Sequence, residues 1–166
     1  MKIQTGRDRK PAMADWIDRF LADDKESTER EALRRQTLQA MGARYWEALC
    51  QRLRRDAAKL NQEAIRLLKS ELEINKRELI PHNNEIDIDR LAYPAIRLTI
   101  ILNLPAECIT IKQSRIETPE GSYRETQETL QLTLTNGQEI AFIDQEGTQL
   151  DLDRASQYIL GRFLRN

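Results

Sequence analysis

The stretch Pro94-Ala95-Ile96-Arg97-Leu98-Thr99-Ile100-Ile101-Leu102-Asn103-Leu104-Pro105 decides how the chain is read. Between its two prolines, Ile96, Leu98, Ile100, Leu102 and Leu104 recur at every second position, with Arg97, Thr99 and Asn103 opposite. A period of two is that of a strand with one apolar and one polar face, and proline at each end bounds it because proline cannot donate to a ladder.

The same pattern extends in both directions. Downstream, Ile109, Ile111 and Ile116 mark a further strand, Leu130, Leu132 and Leu134 another with Gln131, Thr133 and Thr135 opposite, and Ile140 with Phe142 a last one. Upstream, Ile86 with Ile88 and Leu72 with Ile74 mark two more. The punctuation agrees: Pro81-His82-Asn83-Asn84, Pro119-Glu120-Gly121 and Asn136-Gly137 are turn sequences, the last a strong hairpin signal. Short connections between alternating strands predict an antiparallel meander of about five to six strands. Asp151 or Asp153 can cap a terminal helix lined by Leu152, Ala155, Ile159 and Phe163, with Arg162 and Arg165 near its C-terminal end; this helix is expected on the apolar sheet face.

Before residue 70 the composition turns to Leu, Ala, Arg, Gln and Glu, which favours helix. Met13, Trp16, Ile17, Phe20 and Leu21 form one stripe of a short helix that starts near Pro11 and ends near Asp23 and Asp24. Thr28 with Glu31 has the spacing of a capping box and predicts the start of a second, long helix running to about Ser70; one unbroken helix is the alternative. The expected organisation is a tail and short helix over 1–27, a long helix over 28–70, and a sheet with a C-terminal helix over 71–166, an α+β fold.

Within the long helix the seam Leu38, Met41, Tyr45, Leu49, Leu53, Ala57, Leu60, Ala64, Leu67 takes eight steps over 67 − 38 = 29 residues, about 3.6 per step, the period of a straight helix rather than a coiled coil. Gly42, Trp46, Cys50 and Leu68 widen the stripe to roughly 180°, where a helix lying on one core needs about 100°. About 41 residues at 1.5 Å each give a rod of roughly 60 Å, longer than the roughly 40 Å span expected of such a globule. The end over 28–46 is therefore expected to be covered by the first helix, folded back as an αα-hairpin, or by another chain.

Charge and chemistry narrow the function. The 166 residues carry 26 basic and 27 acidic groups, a net charge of −1, which gives no global field towards nucleic acid. The basic residues Arg34, Arg35, Arg44, Arg52, Arg54 and Arg55 scatter around the helix among Glu47, Asp56 and Glu63, and the polar sheet face offers no aromatic ladder, so nucleic-acid binding is the lesser alternative. Two lone cysteines, Cys50 and Cys108, and one histidine, His82, do not make a zinc site. Asp87 and Asp89 share one strand face about 7 Å apart and could hold a metal, but they also read as the polar side of a half-exposed strand. Phosphate-binding and nucleophile motifs are absent, so neither catalytic residues nor a cofactor nor a metal is expected. No run of 18 apolar residues and no leader-like segment occurs, which predicts a cytoplasmic protein without a membrane span.

Four of the nine aromatic residues stand in the helical third. Aromatics anchor protein interfaces well, since they bury much area for few rotatable bonds. The expectation is a non-enzymatic assembly or adaptor module that forms a homodimer or joins a larger assembly, with Trp16, Phe20, Leu38, Met41, Tyr45 and Trp46 as contact residues and a polar sheet face or exposed edge strand turned to a partner.

Overall fold

A computed structural model describes residues 12–75, 84–136 and 139–165. It is an α+β protein with helix α1 (Ala12–Glu63), a single turn α2 (Ile65–Leu68), seven strands and helix α3 (Leu152–Leu160), which continues into a 3₁₀ turn at Gly161–Phe163. The strands are β1 (Leu72–Asn75), β2 (Glu85–Arg90), β3 (Ala95–Asn103), β4 (Cys108–Ile116), β5 (Tyr123–Thr135), β6 (Glu139–Ile143) and β7 (Gln149–Leu150). They lie in sequence order in one sheet, each antiparallel to the next. The expected meander is present with one strand more than anticipated, the two-residue β7. Of the proposed turns, Pro81, His82 and Asn83 lie outside the described residues, as does Gly137; Gly121 adopts the positive φ of +91° that its turn requires.

The predicted break near residue 24 does not occur, and with it goes the αα-hairpin: α1 is continuous from Ala12. The capping box fails because both of its members are otherwise engaged. The Thr28 hydroxyl donates to the Asp24 carbonyl one turn back, at 2.9 Å, and Glu31 accepts from Arg34 at 2.8 Å and from Arg35 at 3.2 Å. A threonine bonded to its i−4 carbonyl sits inside a helix rather than at its start. The C-terminal end comes earlier than Ser70. Ala64 leaves helical geometry (φ −123°, ψ 18°), and after one further turn Lys69 takes the left-handed conformation at φ 65°. This shift replaces Leu67 by Leu68 in the core: Leu67 is 66% exposed and Leu68 fully buried.

The chain divides into two compact units at Gln36 and Thr37. In the second unit, Leu38, Trp46, Leu49, Cys50, Leu53 and Ala57 of α1 join Ile86 and Ile88, the alternating set Ile96, Leu98, Ile100 and Leu102, Ile109 and Ile111, Leu130 and Leu132, and Phe142 in one core. The face of α3 bearing Ala155, Ile159 and Leu160, with Phe163 beyond it, completes that core. Asp151 caps α3, its carboxylate accepting from the Arg154 amide at 2.8 Å.

Two local devices fix the sheet against α1. Asn61 of α1 holds both backbone groups of Leu72, its amide donating to the Leu72 carbonyl at 3.0 Å and its oxygen accepting from the Leu72 amide at 2.7 Å. Gly42 permits a close approach: a Cβ there would stand 2.3 Å from Cδ2 of Leu104. Glycine inside a helix costs about 1 kcal/mol relative to alanine, and here it leaves room for the Leu104 side chain in its present rotamer.

Candidate interaction surfaces

The residues expected to make contacts fall into two groups. Leu38 and Trp46 are 1% and 4% exposed, inside the core of the second unit, and Met41 and Tyr45 pack against that core. The Tyr45 ring lies 5.3 Å from the Phe142 ring, tilted at 60°. The over-wide stripe is thus taken up by the chain's own sheet and α3: Leu38 and Trp46 are core residues, Met41 and Tyr45 are half-buried against that core, and the four do not form an open face. Burial, then the carboxylates of Asp151 and Asp153, push the Tyr45 hydroxyl up to about 12.

Trp16 and Phe20 are placed differently. They are 57% and 63% exposed, and Ile17 and Leu21 between and beside them are 43% and 59% exposed. From Asp15 to Gln36 every residue except Arg34 is exposed. At 100° per residue, Trp16, Phe20, Ile17 and Leu21 occupy an arc of about 140°. Helical order in this unit is supported by ion pairs one turn apart: Glu26 with Arg30, and Glu31 with Arg34 and Arg35. The hydrogen bond from Arg34 is the largest influence holding the Glu31 carboxyl down at about 2.

Several arginines form ion pairs. Besides Arg30, Arg34 and Arg35, Arg52 bonds Asp56 at 2.8 Å and also pairs with Asp153, while Ser156 donates to the same Asp56 at 2.8 Å. These contacts tie α1 to α3, and a cavity of about 550 Å³ lies alongside them, lined by Leu60, Ala64, Leu160 and Leu164 among charged side chains. A second polar cluster joins the sheet to the C-terminal helix. Glu128 accepts from Tyr158 at 3.0 Å and pairs with Arg162, whose guanidinium lies 5.2 Å from the centre of the Tyr158 ring. Burial, and then Arg165, draw the Arg162 pKa down.

The remaining chemistry-bearing residues have structural partners. Asp87 and Asp89 are buried on the sheet face opposite the core; Asp87 accepts from Thr99 at 2.6 Å and Asp89 from Arg97 at 2.6 Å. Their cross-strand partners, Thr99 and Arg97, stand directly opposite them in the ladder. Among the described residues, no three His, Cys, Asp or Glu side chains converge to hold a metal. Cys50 and Cys108 are buried and neither is in a disulfide, and burial raises the Cys108 pKa. His82 lies outside the described residues.

Sequence reasoning missed two features. Arg90, on the core face of β2, is 1% exposed, and the first half of β5, Tyr123 to Gln127, is an exposed strand. No described helix is long and apolar enough to cross a membrane. Comparison of the chain with protein-family models, with curated proteins and with solved structures returns no match.

Proposed function

We propose that this chain is a non-enzymatic assembly module that associates with a second copy of itself through the N-terminal segment of α1. One observation carries the reading: Trp16, Ile17, Phe20 and Leu21, four large apolar side chains within six residues, are all exposed on one side of a helix. Isolated exposed apolar residues are ordinary, but a contiguous group that includes Trp and Phe marks a contact site. Fully burying such a side chain is worth about 1.5–3 kcal/mol. The expected product is a concentration-dependent dimer. A net charge of −1 does not oppose self-association.

The test is sedimentation equilibrium of the chain and of the variant Trp16→Ser/Phe20→Ser. Because both side chains are exposed, the variant should keep its circular dichroism spectrum while its average mass falls, and the difference should persist at high salt, where apolar contacts hold and contacts to nucleic acid collapse. Identical masses for the two proteins at every concentration would refute the reading.

A further inference from the structure

The core face of the sheet runs out of apolar residues at one end. On β4, Ile109 and Ile111 belong to the core, and by alternation Gln113 and Arg115 continue that face; on β5, Leu132 and Leu130 are succeeded on it by Glu128, Thr126 and Arg124. The last helix and the turn after it reach this polar end, where Tyr158 donates to Glu128 at 3.0 Å and Arg162 pairs with the same carboxylate. A cavity of about 330 Å³ lies there, lined by Gln113, Arg115, Glu128, Tyr158, Arg162 and Arg165.

Three guanidinium groups therefore line the cavity against one carboxylate, an excess of two positive charges in a chain whose net charge is −1. The neighbours do not cancel it. Glu117 is bonded to Arg115 at 2.6 Å, but Arg124 stands directly opposite Arg115 in the ladder, an unfavourable like-charge pair that restores the excess. Nor do the two acids use up the donors. Glu117 takes Nε and Nη2 of Arg115 and leaves Nη1, while Glu128 takes Nη2 of Arg162, whose Nε is buried without a hydrogen-bond partner among the described residues. Nη1 of Arg162 stands 3.5 Å from Gln113, a long contact, and Arg165 has neither an ion pair nor a hydrogen bond among the described residues. Burial, and then Arg165, draw the Arg162 pKa down, as burial and then Arg115 do for Arg90, so cations crowd this end of the sheet beyond what its acids balance.

A compact anion with two charges and several acceptor oxygens would complete this arrangement. A phosphate monoester carries about −1.5 to −2 charges and three strong acceptor oxygens near neutral pH, and the fork of arginine matches its geometry. The cavity is at the small end of the roughly 300–1,000 Å³ range of ligand pockets, which suits a phosphate on a small substituent. We propose that the cavity bounded by β4, β5 and the turn after α3 binds a small phosphate monoester, with Arg115, Arg162 and Arg165 donating to its oxygens. Glu128 and Tyr158 are positioning residues: the carboxylate holds one edge of the Arg162 guanidinium, which lies 5.2 Å from the centre of the Tyr158 ring, and thereby fixes where the unused Nε stands. This site is independent of the α1 contact.

The test is isothermal titration calorimetry of the full chain with inorganic phosphate near pH 7.5, where it is mostly dianionic, at an ionic strength held constant with sodium chloride. One saturable site per chain is expected, accompanied by a phosphate-dependent rise in melting temperature. Methyl phosphate should bind within about threefold of inorganic phosphate, and dimethyl phosphate, a monoanionic diester like those of nucleic acids and lipids, at least about tenfold more weakly. Arg165 is exposed and unbonded, so Arg165→Gln should leave the fold intact and weaken phosphate binding about tenfold or more; Arg115→Gln should do likewise, and Arg54→Gln, an exposed arginine of α1, should change it by less than about twofold. Absence of saturable binding by both calorimetry and melting temperature, equal affinity for the diester, or equal effects of Arg165→Gln and Arg54→Gln would each overturn the proposal.

Discussion

Nη1 of Arg90 donates to the carbonyl of Phe163 at 2.7 Å, joining β2 to the turn that follows α3. Its Nη2 donates to the Pro94 carbonyl, also at 2.7 Å, and the side chain is 1% exposed. Burial, and secondarily Arg115, draw its pKa down, and two carbonyls rather than a carboxylate compensate the charge. Arg90→Met should retain the packing but leave two buried acceptors unpaired, lowering the unfolding free energy by about 2 kcal/mol or more. Arg90→Lys, with no planar fork to bridge both carbonyls, should fall between. Urea denaturation decides it, and equal midpoints for Arg90→Met and the parent would show that these bonds contribute nothing net.

Tyr45 carries a buried hydroxyl that has no hydrogen-bond partner among the described residues. Tyr45→Phe keeps the ring on Phe142 and removes the unsatisfied group, so stability should stay equal or rise by up to about 1 kcal/mol. Trp46→Ala, one residue on, should instead cost about 3–5 kcal/mol by opening a cavity. Thermal unfolding of the two variants should therefore move in opposite directions, or the first not at all.

At Gly42 the obstacle to a Cβ is the far end of one leucine side chain. Gly42→Ala can be accommodated by a rotation of Leu104, and the gain in helix propensity of about 1 kcal/mol offsets that movement. Gly42→Val adds bulk with nowhere to go and should destabilise by about 1–3 kcal/mol. Calorimetry that placed both variants above the parent would contradict the close approach.

The pH response of the N-terminal helical unit should centre on Glu31. Its carboxyl, held down at about 2 against an ordinary 4.5, is a depressed acid, so its contribution to helix order is present above pH 4.5 and is lost as the pH falls through 2. Helical circular dichroism of the full chain should decline over that window. Glu31→Gln should remove this part of the decline, and added salt should shrink it, since the carboxylate and its arginines are solvent-exposed. An unaltered acid profile in Glu31→Gln would assign the decline to other groups.

The period-two runs gave most of the sheet because one face of it is buried, and register follows the apolar face. Where that condition fails, the pattern disappears: Arg124-Glu125-Thr126-Gln127 is exposed on both sides, so the first half of β5 carries no apolar alternation, and β7 is two residues long. Helix α1 was misdivided for a similar reason. Thr28 and Glu31 have the residue types of a cap, but the carbonyl and arginines that occupy them lie within the helix itself, and spacing alone does not separate the two uses. Trp46 and Leu38 were legible as apolar, but not as core, because the width of a stripe does not say which of two neighbours is the same chain. The burial of Asp87, Asp89 and Arg90 depends on Thr99, Arg97 and the Phe163 carbonyl, and only the ladder and the final turn bring these close.

The Asn61 amide at Leu72 supplies β1 with a donor and an acceptor of the same kind a neighbouring peptide would offer. The first strand therefore begins already saturated on its outer rim, and an incoming chain would have to evict a side chain before it could add there. Growth of the sheet from that end is blocked at its first residue by a single carboxamide.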